Sequence, residues 1–462
     1  MPTNAPRKIE RRRRILGRVA PQEFVGRETA LDELVSHAGG RGTSSHGMLV
    51  LAAPSVGASE LLRQAYDELF HRHENIAPIY FAINRHDRTT QGAANHFLHT
   101  FLLQLIAFRR HEPSLANASL TMSDLMELAP PQDYEWIEHL VAACERERVR
   151  GDERAFIRLC LSAPARAAAR GAHALVMIDG LQVAEQLRGE VSLGAEIAQV
   201  FMRSEDPFVL AGLRRRLLDL IHDARGGFDK AASLHLENLS DADARALVLS
   251  LAERTGLAVN EQTSDLIVQQ FGGNAMLITS LLLAAQEKRV ALDSFRSCQN
   301  LYADELMGGR INRHYAAVLE AVAPHSAARR ALVRVLYEAM TSDTAKSSLE
   351  SWRKKLEVSA EEFQQIMHGL HVHELISLNA SVVQTARVSQ VWQDYLRVRY
   401  RLEIMAESRA LVVADTLLET LKRAPQTMAR HYRRASALGL RELLSLFNCQ
   451  RVPASLLSYD RF

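Results

Sequence analysis

The fold is decided by residues 48–59, which read Met-Leu-Val-Leu-Ala-Ala-Pro-Ser-Val-Gly-Ala-Ser. An uninterrupted apolar run of this length is typical of a buried parallel strand, and Pro54–Gly57 ends it in a turn. A helical pattern begins near Ser59, and residues 76–83 form the next apolar run. Strand, turn, helix and strand within about 35 residues make one βαβ unit. The sequence therefore predicts an α/β fold with a parallel sheet.

Two further apolar runs extend this sheet. Residues 174–178 lead into Asp179, and residues 207–211 precede a basic triplet at 214–216. Residues 88–170 lie between strands and show a mainly helical pattern. We therefore expect four strands in one α/β core from 21 to 235, carrying a helical insertion at about 88–170.

Strand signals nearly vanish after Leu239. Helical patterns on either side of a Gly-Gly-Asn turn predict a helical lid over 236–300. Three helical patterns, the third opened by Ser359 and Glu362, precede a short hairpin at 375–385. Three helices and a hairpin predict a winged-helix-like domain over 301–400. A helical tail is expected over 401–462.

Composition restricts the class of protein. The 462 residues are 47% hydrophobic and 24% charged, which is typical of a globular chain. Cys144, Cys160, Cys298 and Cys449 are widely spaced, so the pattern indicates neither a zinc site nor a disulfide framework. We find no run of about 18 apolar residues and no signal-like segment. These observations predict a cytoplasmic protein with no membrane partner.

The net charge of +2 is unevenly distributed. Residues 1–18 hold seven Lys and Arg against one acid, giving +6, so the rest of the chain carries −4. A basic tail over 1–20 could contact nucleic acid or another acidic partner in a salt-dependent way, chiefly through Arg11, Arg12, Arg13 and Arg14. A solvated or targeting tail is the alternative interpretation.

The turn at 52–59 has the spacing of the phosphate-binding motif GxxxxGK[ST]. In that motif backbone N–H groups surround phosphate, Lys neutralises its charge, and Ser or Thr binds Mg²⁺. Gly57 and Ser59 match, whereas Ala52 replaces the first Gly and Ala58 replaces the Lys. An ordinary strand-to-helix turn also explains the pattern.

Three motifs in order resemble the AAA+ and STAND group of P-loop ATPases, particularly its archaeal-ATPase and origin-recognition branch. Residues 24–28 (Phe-Val-Gly-Arg-Glu) look like the FVGRE box of that group, residues 175–179 look like Walker B, and residues 271–274 look like the GGNP turn of the lid. The resemblance covers about 21–290, and more loosely reaches 400. It implies an ATP or ADP site with Mg²⁺. The implied nucleotide contacts are Val25, Gly26, Arg27, Pro54, Ser55, Val56, Gly57, Ala58, Ser59 and Asn274, and the implied Mg²⁺ ligands are Ser59 and Asp179.

Departures from the group's pattern argue against efficient hydrolysis. Ala58 removes the phosphate-binding Lys, Gly180 stands where many members carry a second acid, and Ala275 replaces the GGNP proline. A charged group of this kind commonly contributes about 10²-fold or more in rate. Binding is compatible with the remaining backbone, Ser59 and Asp179.

We therefore expect a nucleotide-binding pseudo-ATPase that acts as a regulatory switch or as an assembly scaffold for a protein or DNA complex. An active DNA-associated ATPase or loader, with a catalytic residue from a neighbouring subunit, is the alternative. A scaffold with an empty pocket is a third interpretation.

The sequence of the winged-helix region does not decide between a DNA partner and a protein partner. Its third helix, residues 360–374, is poorly basic, whereas Arg353, Lys354 and Lys355 on the preceding helix could contact phosphates. Docking to a protein, including self-assembly, explains the pattern equally well. The arginines at 214–216 are interpreted as sensor-type residues near the nucleotide or as a solvated basic helix start.

Overall fold

The computed structural model describes residues 14–39, 46–223, 231–341, 346–379, 382–385 and 389–424. Within these ranges no helix is both long enough and apolar enough to cross a membrane. Arg11, Arg12 and Arg13 of the basic tail, and residues 425–462 of the expected helical tail, lie outside the described residues.

A five-stranded parallel sheet forms the first half of the chain. Its strands are β1 (Gly47–Ala52), β2 (Ala77–Ala82), β3 (Ala174–Asp179), β4 (Phe208–Leu213) and β5 (Ala232–Leu236), in the order β2-β3-β4-β1-β5. Every neighbouring pair is parallel. The residues of β1, β3 and β4 are all buried, which explains their continuous apolar sequence.

The helices of this half follow or connect the strands. They are α1 (Glu28–Ala38), α2 (Ala58–Arg72), α3 (Thr90–Arg109), α4 (Met122–Leu128), α5 (Pro131–Arg150), α6 (Glu153–Leu161), α7 (Ala163–Ala168), α8 (Leu193–Phe201) and α9 (Arg214–Asp223). The stretch predicted as a helical insertion is indeed helical, since α3 to α7 connect β2 to β3. Gln104 of α3 also pairs with both backbone groups of Tyr80, at 2.7 and 3.0 Å, on the edge strand β2.

The expectation of four strands was too low, because β5 forms a fifth. Its sequence, Ala-Ser-Leu-His-Leu, is short and carries only two apolar residues that are buried, Leu234 and Leu236. Ser233 and His235 alternate with them and are exposed. A short half-buried edge strand gives a much weaker apolar signal than a central one.

Helices dominate the second half. They are α10 (Asp241–Thr255), α11 (Glu261–Phe271), α12 (Ala275–Lys288), α13 (Phe295–Gly308), α14 (Arg310–Val322), α15 (Ser326–Thr341), α16 (Leu349–Leu356), α17 (Ala360–Val372), α18 (Gln390–Glu403) and α19 (409–424). A small antiparallel sheet of β6 (Lys346–Ser348), β7 (Ser377–Asn379) and β8 (Val382–Gln384) accompanies them. The predicted fold class is confirmed: a parallel-sheet core is followed by helices and by a three-helix unit with a hairpin.

Buried apolar residues form two clusters. The first extends from Ala30 to Leu236 and surrounds the parallel sheet. The second extends from Leu239 to Val412. It unites the helices α10 to α12 with α15 to α17 and the small antiparallel sheet, residues 326–385, which we call the winged-helix unit. The boundary between the two clusters lies directly after β5.

An N-terminal arm, residues 15–19, runs along α2. The N–H groups of Ile15, Leu16 and Gly17 donate to the carboxylate of Asp67 at 3.0, 2.8 and 3.1 Å. The next two N–H groups, of residues 18 and 19, both donate to Glu60 Oε1 at 2.9 Å. A Cβ at Gly17 would come within 2.8 Å of Asp67 Oδ2, so a larger residue there would displace this carboxylate. The arm ties the start of the chain to the helix that follows the phosphate-type turn.

Asp67→Ala should release this arm, because it removes the acceptor of three backbone N–H groups from a position that is only 4% exposed. We expect a loss of about 2 kcal/mol in the free energy of unfolding, measured in urea, and faster tryptic cleavage after Arg18. Asp67→Asn keeps one oxygen acceptor and should be intermediate. Equal stability of Asp67→Ala and the unaltered chain would contradict the role of the arm.

Candidate functional site at the carboxyl edge of the sheet

Three predicted features meet at one edge of the sheet. Because all five strands are parallel, the turn after β1, Asp179 at the end of β3 and Arg214 after β4 share the carboxyl edge. In open α/β sheets, ligands bind outside this edge. The order of the strands thus brings together residues that are more than 150 positions apart in the chain.

The turn after β1 has a phosphate-loop-like backbone. Gly57 has a φ of 93° and precedes α2 with no side-chain cap, and nothing lies within 4 Å of a Cβ built on it. Ser55 is also left-handed, with a φ of 63°. An uncapped helix N-terminus behind a left-handed glycine suits an anion. Ala58 and Ser59, the first residues of α2, are half-buried.

Three different elements contact successive residues of this turn. Asn274 Nδ2 donates to the carbonyl of Pro54 at 3.3 Å, and Ser55 Oγ is hydrogen bonded to His314 Nε2 at 3.2 Å. Arg27 donates to the carbonyl of Val56 at 3.3 Å and also to that of Glu237. Of the predicted nucleotide contacts, Arg27 and Asn274 therefore reach the turn directly.

The region before α1 is fixed by a close approach. Gly26 has a φ of 75°, and a Cβ on it would lie 2.5 Å from the Cβ of Asp243. Its N–H donates to Glu28 Oε1 at 3.1 Å. Val25 is half-buried beside it. Glycine at 26 thus allows the start of α10 to approach the segment that carries Arg27.

His314 was not singled out in the sequence. Burial lowers its pKa, so the imidazole is neutral and can pair with Ser55 by a simple hydrogen bond. It lies on α14, some 260 residues from the turn, and no short motif surrounds it. The contact of His314 with Ser55 becomes visible only when the second half of the chain is packed against the first.

A cavity of about 300 Å³ lies between the turn and the second half of the chain. This volume is at the lower end of the range for small-molecule sites. Its walls include Pro54, Ser55, Asn274 and His314, together with Arg214, Glu237, Asn238, His373, Glu374 and Trp392. The cavity therefore joins predicted contacts to residues of the winged-helix unit.

Asp179 is 7% exposed and is held by Tyr80 on the neighbouring strand. The Tyr80 hydroxyl donates to Asp179 Oδ2 at 2.9 Å, and burial, followed by the charge of Asp179, raises the pKa of Tyr80 and keeps it protonated. Gly180 follows with a φ of 80°, where a Cβ would lie 3.3 Å from the carbonyl of Ile83. The backbone thus disfavours any side chain at this position, where the ATPase group that the sequence resembles often carries a second acid.

The residues present fit a Mg²⁺ ion only in combination with a phosphate ligand. Within the described part of the chain, no group of three or more His, Cys, Asp or Glu side chains could hold a metal. Mg²⁺ in nucleotide sites is commonly held by one or two protein oxygens, water and phosphate. Ser59 and Asp179 would supply the two protein oxygens.

The basic triplet after β4 connects the core to the winged-helix unit. Arg214 contacts both oxygens of the Glu374 carboxylate, with Nη2 at 2.7 Å from Oε2, and this bond raises the pKa of Arg214. Arg215 Nη1 donates to the carbonyls of His371 and Ile376, each at 2.7 Å. We call this set of contacts the arginine latch.

A second set of charges flanks the latch. Arg216 is 6% exposed and pairs with Glu185, which also lies 3.7 Å from His368 on α17. The bond to Glu185 raises the pKa of His368, whereas burial lowers the pKa of His371. The arginines therefore bind α17 and its neighbours rather than forming a solvated face.

The basic residues of α16 are exposed. Lys354 and Lys355 pair with Glu350 and Glu338 at 3.0 and 2.7 Å, and Arg353 is also exposed. Arg14, the one tail arginine of the predicted set that is described, donates to the carbonyl of Arg18 at 3.0 Å. These residues stay predicted partner contacts.

Solved structures with similar folds include three archaeal proteins. The ORC1 protein of Aeropyrum pernix, solved in complex with DNA, is 12% identical, with a TM-score of 0.44, over 81% of this chain and 92% of its own. A Walker-type ATPase of Pyrococcus abyssi is 14% identical, with a TM-score of 0.47, over 83% and 98%. The ORC2 protein of Aeropyrum pernix, solved with ADPNP and ADP, is 12% identical, with a TM-score of 0.47, over 89% and 98%.

No family model matches the sequence, and no curated protein matches it. We therefore base the fold assignment on the parallel sheet, the helices and the hairpin of the chain itself.

Arg215→Ala should loosen α17 from the core, because two carbonyls in a part-buried contact lose a charged donor. We expect amide hydrogen exchange in α17 to become about tenfold faster or more, which corresponds to about 1.4 kcal/mol. Lys354→Ala is the matched control, since its ion pair is fully on the surface. Unchanged exchange in α17 of Arg215→Ala would show that the latch does not hold this helix.

Proposed function

We propose that this chain binds ATP or ADP with Mg²⁺ at the carboxyl edge of the sheet and uses this binding as a regulatory switch without efficient hydrolysis. One observation carries the proposal. Arg214 is at once a wall of the cavity beside Ser55 and the partner of Glu374 in the arginine latch. A ligand phosphate near the turn would therefore be coupled to the contact with the winged-helix unit.

The coupling follows from charge. The Glu374 carboxylate accepts two hydrogen bonds from the guanidinium of Arg214. A phosphate binds arginine with the same two-point geometry. A phosphate and this carboxylate thus compete for one cation. A ligand shifts a conformational equilibrium only by its differential affinity for the two states, and this competition supplies the difference.

Different elements of the fold would contact different parts of the nucleotide. Gly57, Ala58 and Ser59 would contribute the backbone and hydroxyl of the phosphate end, with Asp179 and Ser59 on Mg²⁺. Val25, Gly26 and Arg27 would lie beside the base, and Asn274 would fix the lid against Pro54. Ala58 and Gly180 leave the site without the two groups that would make hydrolysis efficient.

Binding of ATP and of ADP in the presence of Mg²⁺ should be measurable by calorimetry on the full chain. Asp179→Ala should weaken it about tenfold or more, because a Mg²⁺ ligand is lost. Asp206→Ala is a matched control: Asp206 is equally buried at 7%, but it precedes β4 and bonds to His173 at the opposite edge. Absence of nucleotide binding in the unaltered chain would leave the scaffold interpretation.

A Glu374 variant and a phosphate-release assay test the competition and the absence of hydrolysis. Arg214 pairs with Glu237 as well as with Glu374, and Glu374→Gln removes the carboxylate that holds it at two points. This variant should tighten nucleotide binding, whereas an ordinary loss of packing would weaken it. Phosphate release followed in parallel should stay at background. Sustained turnover would contradict the pseudo-ATPase and favour the active ATPase.

We propose that the basic tail adds a nucleic-acid contact to this switch, either for DNA directly or for a protein and DNA complex. The arm at 15–19 fixes the end of the tail to α2, and Arg11, Arg12, Arg13 and Arg14 directly precede this fixed segment in the sequence. Arg14 is exposed, and four successive arginines in the sequence suit a phosphate backbone.

Replacing Arg11, Arg12, Arg13 and Arg14 with Gln should weaken binding to duplex DNA and reduce its salt dependence by about three to four units in the log–log slope. Replacement is preferable to deletion through residue 18, because deletion would also remove the arm. Arg353→Gln with Lys354→Gln tests the winged-helix contribution separately. An unchanged slope in the tail variant would exclude the tail as a DNA contact.

A further inference from the structure

Helix α19 makes ion pairs toward the rest of the chain and exposes leucines on its outer side. The side that faces α18 makes ion pairs: Asp415 with Arg401, Glu419 with Arg397 at 3.0 Å, and Arg423 with Asp394 at 2.9 Å. Val412 is fully buried on this helix, Val413 packs partly buried against the second apolar cluster, and the threonines at 416 and 420 are buried. Surface helices normally place their apolar stripe toward the core and their charges outward.

The outer side carries the leucines instead. Leu411, Leu418 and Leu421 are 59%, 50% and 54% exposed, and Ala414 between them is exposed as well. Their spacing of three, four and three positions places them along one line of the helix. We call this set the leucine stripe. An ordered row of leucines on a helix whose other side is held by ion pairs indicates a surface built to be covered.

We propose that the leucine stripe is covered by residues 438–447 of the same chain. These residues, outside the described part, read Leu-Gly-Leu-Arg-Glu-Leu-Leu-Ser-Leu-Phe. Leu440, Leu443, Leu444 and Phe447 follow the i, i+3, i+4, i+7 pattern of an amphipathic helix. The segment thus offers an apolar face of matching spacing.

The length of chain between the two surfaces allows this contact. Residues 425–437 separate α19 from the segment and can span roughly 40 Å when extended. The leucine stripe extends from Leu411 to Leu421, ten helical steps or about 15 Å. The connection therefore permits the segment to return along α19 without strain.

The size of the leucine stripe favours a tethered partner over a second copy. Stable interfaces between separate proteins bury roughly 800 Å² on each partner, far more than three half-exposed leucines supply. A segment joined by a short linker has an effective concentration in the millimolar range and needs much less contact area. Residues 438–447 meet that condition by their position in the chain.

Cysteine cross-linking of the full chain tests the contact. Cys449 lies two residues after Phe447, and the three described cysteines are buried. With Ala414→Cys, a short bismaleimide should join positions 414 and 449 within one chain, giving a product of monomer mass. Leu249→Cys, at a site 49% exposed on α10, is the matched control and should give about tenfold less cross-link.

Every outcome decides the question. Adding Leu444→Asp to Ala414→Cys should lower the monomer-mass cross-link severalfold while labelling of position 414 by a monofunctional maleimide rises. A cross-linked product of dimer mass would assign the leucine stripe to a second copy and overturn the proposal. A yield equal to that of the Leu249→Cys control, or unchanged by Leu444→Asp, would overturn it as well.

Discussion

The pairing of β1 on both sides is the constraint from which the candidate site follows. β1 is bonded in parallel to β4 and β5, and all six of its residues are buried. The carboxyl end of β1 therefore lies beside the carboxyl ends of β4 and β5. This one arrangement places the turn at 53–57, Arg214 and the Arg27 contact to Glu237 at a common edge. A register change in β1 would separate all of them.

The arginine latch builds on the same edge. Because α9 begins directly at the end of β4, its first arginines are fixed by the sheet itself. Glu374 and the carbonyls of His371 and Ile376 come from the winged-helix unit and meet these fixed arginines. One side of the contact is thus rigid and the other belongs to a separate apolar cluster. Such a contact can open while both halves keep their own cores.

Much of this architecture could be predicted from the sequence, for identifiable reasons. The strands β1, β3 and β4 are buried on both faces and give strong apolar runs, and caps such as Ser359, which accepts the N–H of Glu362 at 3.1 Å, mark helix starts. The strand β5 was missed because it is a half-buried edge. His314 and Glu374 were missed because their roles depend on how two distant parts of the chain pack, and no local pattern encodes that.

Two positions of the candidate site depart from the pattern of the ATPase group that the sequence resembles, one in its side chain and one also in its backbone. Substituting Lys for Ala58 alone would restore one charge at the turn, but position 180 would still have a φ of 80° with the carbonyl of Ile83 close by. A second acid there would carry left-handed strain of about 1–2 kcal/mol. Asp179 also accepts a hydrogen bond from the Tyr80 hydroxyl at 2.9 Å, which orders the carboxylate. A nucleotide phosphate held beside the turn would compete for Arg214 whether or not it is hydrolysed, and this competition is the property that the proposed switch requires.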